Sequence, residues 1–93
     1  MLFLLNKTQP DTIRLLKLLG GEEEKEVLLV EDAVFYATAP MVEKLQAAGV
    51  EQVYAAKDAV ETRTFDLSPE CEVVDFDQMV ELIMETHDKL VCI

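Results

Sequence analysis

The chain has 93 residues, is 51% hydrophobic, and carries 19 Asp and Glu against 8 Lys and Arg, which gives a formal net charge of -11. This length suffices for one compact domain and is too short for two, so we expect a single folded domain over residues 1–93 rather than a disordered chain. The acidic excess disfavours direct binding to nucleic-acid phosphates and to anionic membrane surfaces.

The N-terminal apolar stretch is too short to be a membrane span or a secretion signal. It covers residues 1–5, has no basic region before it, and ends at Asn6 and Lys7. We therefore expect a cytoplasmic protein without membrane contact.

Short apolar runs without polar alternation recur along the chain. Such runs are typical of parallel strands that helices cover on both faces. They occupy residues 2–5, 27–30, 53–56, 73–74 and 90–93. With helical segments between them, they predict a three-layer α/β/α sandwich around a mostly parallel five-stranded sheet.

The first helix is predicted between the first two runs. Thr8, Pro10 and Asp11 are helix-start residues, and the pair Gly20 and Gly21 ends the helix. Its apolar residues are expected to form one broad face: Ile13, Leu15, Leu16, Leu18 and Leu19. The charged run over residues 22–26 is interpreted as a solvated loop without a functional role.

The segment after the second run predicts a broken helix. Asp32 can cap a short helix over residues 33–37, and Pro40 then starts or re-aims a second helix that ends at Gly49. Apolar and aromatic residues flank the break and are candidate interface residues: Val34, Phe35, Tyr36 and Met41. The alternative is that all four belong to the core of the chain itself.

The last helix is predicted to be amphipathic, with its acidic residues opposite an apolar stripe. The stripe follows the i, i+3, i+4, i+7, i+8 spacing of a buried helix face. Its members are Phe76, Met79, Val80, Ile83 and Met84. We interpret the two methionines as core residues.

Ligands and partners of open parallel sheets approach the carboxyl ends of the strands. The candidate contact residues at these ends are Lys7, Asp32, Lys57, Asp58 and Arg63. Asp32 either holds an amine or a partner arginine, or it caps the helix that follows. The three cations either orient a persulfide or phosphate group together or form ordinary surface salt bridges.

The cysteines and the single histidine show no metal-ligand spacing and no disulfide framework. Cys71 enters the fourth strand and is interpreted as a small buried hydrophobe, whereas Cys92 near the chain end is a minority candidate for a sulfur carrier. His87 is expected to satisfy carbonyls at a helix end rather than to act as a base. We expect no metal and no cofactor.

Segments spread over nearly the whole chain resemble the DsrH/TusB family of small sulfur-relay proteins. These segments are MLFLLNK (1–7) followed by a helix, VEDAV (30–34), VYA (53–55) and VDFDQMVEL (74–82). The resemblance implies a DsrE/DsrF/DsrH-like α/β fold and membership of an assembly that passes persulfide sulfur between cysteines. The destination in the TusB branch is the 2-thio group of a tRNA wobble uridine; in the DsrH branch the context is sulfur oxidation.

The catalytic subunits of such assemblies, of the DsrE/TusD type, carry a cysteine just after the third strand, ahead of an arginine-containing helix. The corresponding residues 56–63 contain no cysteine here, and Thr64 follows Arg63 where family members often have Arg-Gly. Persulfide transfer needs a thiolate nucleophile. The resemblance therefore implies a subunit that is not an enzyme by itself, with DsrE/TusD-like and DsrF/TusC-like partners or with itself as a homodimer.

Two other functions stay open at this point. The first is a stand-alone homo-oligomer that binds a small anion at the strand ends. The second is a redox thiol protein that uses Cys92.

Overall fold

Strands and helices alternate through the computed structural model, which describes residues 1–7, 11–21, 24–62, 67–85 and 90–92. The strands are β1 (Leu2–Leu5), β2 (Lys25–Leu29), β3 (Val50–Ala56), β4 (Cys71–Val74) and β5 (Leu90–Cys92). The helices are α1 (Thr12–Gly20), α2 (Ala39–Ala47), α3 (Lys57–Thr62) and α4 (Phe76–Glu85), with a 3-10 helix at Glu31–Ala37. Within these ranges, no helix is long and apolar enough to cross a membrane.

The five strands form one sheet in the order β4-β3-β2-β1-β5, and each of these pairings is parallel. The predicted α/β fold with a five-stranded sheet is confirmed. The central strand β2 shows why the run lacks alternation, because Val27, Leu28 and Leu29 are all fully buried although they point to different faces.

Helices cover both faces of the sheet, but unequally. The crossovers from β1 to β4 step in one direction across the sheet and place α1, α2 and α3 on one face, whereas the last crossover returns to β5 and places α4 on the other. The larger core accordingly joins Phe3 and Val53 to Leu16 of α1 and Leu45 of α2. The smaller core contains Leu2, Leu28 and Val74, packed against Met79 and Leu82 of α4. We call this second side the α4 face.

Helix α4 does not bury the stripe predicted for it. Met79 contacts the core, but Phe76 is 69% and Met84 77% exposed, and Val80 and Ile83 are exposed as well. The apolar residues span more of the helix circumference than one sheet surface can cover, and the helix turns Met79 and Leu82 to the sheet. The core position predicted for the two methionines is therefore confirmed for Met79 and wrong for Met84.

The face predicted for α1 is also only partly buried. Leu16 is fully buried, whereas Leu18 is 67% exposed and Leu19 is exposed beside it. A short helix that lies on one face of the sheet buries only the residues that are about one turn apart on its inner side. In α1, Ile13 and Leu16 pack against the core in this way. The broad apolar face predicted for α1 is therefore exposed in its last turn.

The last two residues of the charged run, Lys25 and Glu26, belong to the sheet and not to a solvated loop, whereas Glu24 is exposed before the strand and residues 22–23 lie outside the described residues. Strand β2 begins at Lys25, whose side chain is only 3% exposed. Its ammonium donates a hydrogen bond to the carbonyl oxygen of Gly21 at 2.7 Å, at the end of α1. The cation thus satisfies a carbonyl at a helix C-terminus, which explains how a lysine is accommodated there.

The broken helix that follows β2 differs in one detail from its prediction. The 3-10 helix already begins at Glu31, its capping position is Val30, and Asp32 lies in its first turn, so the capping role expected for Asp32 is wrong. Pro40 lies in the first turn of α2, as predicted.

Helix α4 begins with a reciprocal pair of hydrogen bonds, the capping box. The Asp75 carboxylate accepts from the backbone N–H of Gln78 at 2.8 Å, and the Gln78 side chain accepts from the backbone N–H of Asp75 at 2.9 Å.

We expect Asp75→Ala to lower the free energy of unfolding by about 1 kcal/mol in urea denaturation. Asp77→Ala in the same turn is the control, and an equal loss there would show that the helix dipole, not the cap, is responsible.

Candidate functional site

The strand order creates a crevice at one edge of the sheet. Strand β3 continues into α3 on one face and β4 continues into α4 on the other, so the chain diverges in opposite directions after two neighbouring strands. In open α/β sheets, ligands bind at such a divergence, outside the carboxyl ends of the strands. The candidate site therefore lies at the carboxyl ends of β3 and β4.

A pocket with a volume of about 350 Å³ opens at this edge. It is lined by residues from the ends of β2 and β3, from α3 and from α4: Val30, Glu31, Ala56, Asp58, Ala59, Thr62 and Met79. The polar groups of this lining are two carboxylates and the Thr62 hydroxyl, which donates to the carbonyl oxygen of Asp58 at 2.8 Å. Among the described lining residues there is no cation.

Glu31 holds the pocket wall in an uncommon backbone conformation. Its φ angle of 51° lies in the left-handed region, which residues other than glycine rarely adopt. The turn redirects the chain from β2 into the 3-10 helix, so that Glu31 lines the pocket. Strained residues of this kind concentrate at functional sites. Sequence reasoning missed Glu31 because a glutamate carries no signal for a positive φ angle.

The predicted contact residues do not come together as a group. Lys7, Asp32, Lys57 and Asp58 are all exposed at the carboxyl edge, but of these four Asp58 alone is among the pocket residues. Arg63 lies outside the described residues. Of the predicted contact residues that the structure describes, the pocket lining thus contains one carboxylate, Asp58, and neither Lys7 nor Lys57.

Lys57 follows the alternative that the sequence left open. Its ammonium lies 3.9 Å from the Glu61 carboxylate one turn later on α3, and both side chains are more than half exposed. Such a pair stabilises the helix by a few tenths of a kcal/mol, about 0.3–0.5. It is an ordinary surface salt bridge.

The candidate interface residues divide between core and surface. Val34 and Tyr36 are buried within the chain, so the contact role predicted for these two is corrected: their side chains are already covered by the core of the domain. Met41 is partly buried against the same core, and Phe35 is exposed, with its ring centroid 6.2 Å from that of Tyr36. An intersubunit role for Phe35 and Met41 stays a prediction.

A second, smaller pocket of about 200 Å³ lies on the α4 face, between α4 and strands β3 and β4. Its lining is acidic and includes Glu72, Glu81 and Glu85 beside Tyr54. Burial, together with the nearby Glu26 and Glu72 carboxylates, raises the pKa of Tyr54, so its hydroxyl stays protonated. The described residues contain no group of His, Cys, Asp and Glu arranged to hold a metal ion.

Both cysteines are remote from the crevice. Cys71 begins β4, at the edge opposite the crevice, and is half-buried against the larger core. Burial and, secondly, the Glu72 carboxylate raise the pKa of its thiol to about 11. Cys92 is exposed on the edge strand β5, in register with Leu4. His87 lies outside the described residues.

Comparison with known proteins supplies a family model and a similar structure. The model of the family described as "DsrH like protein" matches residues 8–89. No curated protein matches the chain significantly. The crystal structure of the ychN protein from E. coli is similar with a TM-score of 0.70 and 18% sequence identity, over 99% of this chain and 97% of that one. At this identity the likeness concerns the fold alone.

Proposed function

This chain belongs to the DsrH-like family, and from that membership we propose that it is a non-catalytic subunit of a sulfur-relay complex. Its partners are cysteine-bearing proteins of the DsrE/TusD and DsrF/TusC types. The complex serves either 2-thiolation of the tRNA wobble uridine or sulfur oxidation. The accessory role means that a partner provides the thiolate which accepts and passes on the sulfur.

The observation that carries this proposal is the residue set of the crevice. The described lining holds carboxylates, apolar side chains and one hydroxyl, and the position directly after β3 is Lys57. A relay step in this crevice needs a thiolate, because neither a carboxylate nor an amine can carry sulfane sulfur. The chain can therefore shape or cover a relay site that another subunit completes.

The properties of Cys71 support the same conclusion. Persulfide formation requires the thiolate, and with a pKa of about 11 only about one thiol in a thousand is ionised at pH 8. Its position at the opposite edge of the sheet also separates it from the crevice. Cys92 is exposed and is therefore the thiol to test.

Binding of a small anion in the crevice is not favoured by the structure. Glu31 and Asp58 both line the pocket, and their carboxylates repel an anionic ligand, while Lys57 is paired with Glu61. No specific observation supports this function over the relay subunit.

Loading with a persulfide donor should leave the isolated chain largely unmodified in intact-mass analysis, because the crevice lacks a thiol and the Cys71 thiol stays protonated. In a reconstituted mixture with DsrE/TusD-like and DsrF/TusC-like proteins, the sulfur should appear on a partner cysteine. Cys92→Ser should change the transfer rate less than about twofold, since its thiol lies on the far strand β5.

Stoichiometric persulfide on Cys92, with loss of transfer in Cys92→Ser, would show that the chain is itself a sulfur carrier. Failure of the tagged chain to co-purify with either partner type from its native cell would contradict membership of the complex. The 2-thiouridine content of tRNA in a deletion strain separates the two pathways.

A further inference from the structure

One side of α4 is an apolar surface that the described residues leave uncovered. Phe76, Val80, Ile83 and Met84 follow the i, i+4, i+7, i+8 spacing and form one continuous side of the helix. We call these four residues the outer α4 surface. Phe76 and Met84 are 69% and 77% exposed, and Val80 and Ile83 are about half as exposed. Soluble domains seldom expose neighbouring large apolar side chains without a partner that covers them.

Strand β5, at the edge of the sheet, also exposes an apolar side chain on this face. Leu90 of β5 is in register with Leu2, which belongs to the α4 face, and it is 43% exposed. On this face the described structure has one helix against five strands, whereas α1, α2 and α3 share the opposite face. The exposed apolar side of α4 thus lies on the less covered side of the sheet.

The charges on this face indicate what can cover it. Helix α4 contributes the acidic residues Asp77, Glu81 and Glu85. The strands contribute Glu26, which is in register with Leu2, and Glu72, which is in register with Tyr54. Neither α4 nor the described strand residues that point to this face include a lysine or an arginine. On the helix, Asp77 and Glu81 lie next to Met84 and border the outer α4 surface, whereas Glu85, Glu26 and Glu72 lie farther round on the same face. The described charges beside the apolar surface are therefore of one sign.

This border argues against a second copy of the chain as the occupant. A symmetric contact through the same surface would bring the acidic borders of two copies into one interface, and like charges across an interface are repulsive. An anionic lipid surface or a nucleic acid is excluded by the same sign. A protein surface with an apolar centre and Lys or Arg at its rim is complementary both to the apolar side chains and to the acidic residues beside them.

We infer that the outer α4 surface is the docking site for a partner protein whose apolar contact area is bordered by lysine and arginine. The inference deepens the proposed function, on which it rests, by naming the surface through which this subunit meets its complex. Phe76 and Met84 insert into the partner, and Asp77 and Glu81 at the border pair with its cations.

The test places the photo-cross-linking residue p-benzoylphenylalanine at position 76 in the native cell. Position 18 is the matched control, because Leu18 is 67% exposed, close to the 69% of Phe76, but belongs to a helix on the opposite face. We expect a cross-link from position 76 to a different protein, at a peptide flanked by Lys or Arg, and at least about tenfold less of this product from position 18.

Charge reversal tests the border separately. Asp77→Lys with Glu81→Lys, added to the position-76 variant, should lower the cross-link yield about tenfold, because each exposed attractive pair becomes repulsive. Glu43→Lys with Glu61→Lys makes the same change in net charge at exposed positions of α2 and α3, on the opposite face, and should leave the yield unchanged. Circular dichroism verifies that each variant is folded.

The outcomes separate the docking site from the proposed function. A cross-link to a DsrE/TusD-like or DsrF/TusC-like protein supports both. A cross-link to another protein with a Lys- or Arg-flanked contact supports the docking site and contradicts the proposed complex. A cross-link to a second copy, or a yield no higher than at position 18, overturns the docking site, even where co-purification upholds the complex.

Discussion

Leu28→Ala is expected to lower the free energy of unfolding by about 2–5 kcal/mol. Leu28 is fully buried in the central strand β2, and with Leu2 and Val74 it forms the buried part of the smaller core beneath α4. Truncation leaves a cavity between the sheet and Met79 and Leu82, since backbone on both sides of β2 is held by neighbouring strands. Urea denaturation followed by circular dichroism measures the loss.

Ile83→Ala and Met84→Ala are the matched controls on the same face. Both remove apolar atoms from α4, but from its exposed side, so each should change the free energy of unfolding by less than about 1 kcal/mol. If Ile83→Ala destabilised the chain as much as Leu28→Ala, α4 would have its predicted stripe against the sheet and the outer α4 surface would not exist.

Gly20→Ala is expected to destabilise the protein by about 1–3 kcal/mol, although alanine is normally the better helix residue. A β-carbon at Gly20 would lie 2.8 Å from Cδ of Lys25 and closer still to its Cε. The lysine cannot simply move away, because its ammonium is bonded to the carbonyl oxygen of Gly21 at 2.7 Å. The clash therefore displaces either the end of α1 or the buried side chain.

The sign of this effect should reverse when the lysine side chain is removed. In a Lys25→Ala background, Gly20→Ala should stabilise the chain by up to about 1 kcal/mol, the ordinary helix preference of alanine over glycine. A double-mutant cycle from thermal or urea unfolding gives the coupling between the two positions. A loss of the same size in both backgrounds would mean that backbone conformation at Gly20, and not contact with Lys25, requires glycine.

The sequence by itself determined the fold class of this protein. Val27, Leu28 and Leu29, for example, are apolar in succession. Such a run indicates a strand that is buried on both faces, whatever its position in the sheet. The missing cysteine after β3 was likewise readable in the sequence, because it depends on residue type alone. These features are local, so they do not depend on which strands become neighbours.

The sequence placed the candidate contacts at the carboxyl ends of the strands, but the tertiary structure alone decided between which strands the crevice opens and which residues line it. The crevice follows from the order β4-β3-β2-β1-β5, and strand order is a long-range property that no local pattern encodes. The positive φ angle of Glu31 and the burial of Lys25 beside Gly20 depend on their surroundings in the same way.

Helix α4 shows most directly what an apolar pattern in the sequence does not determine. Its apolar spacing correctly predicted a helix, but periodicity measures only that apolar residues share a side. Which part of that side is buried depends on how much sheet surface one helix can cover. Met79 and Leu82 occupy that surface, and Phe76, Val80, Ile83 and Met84 are left to solvent or to a partner.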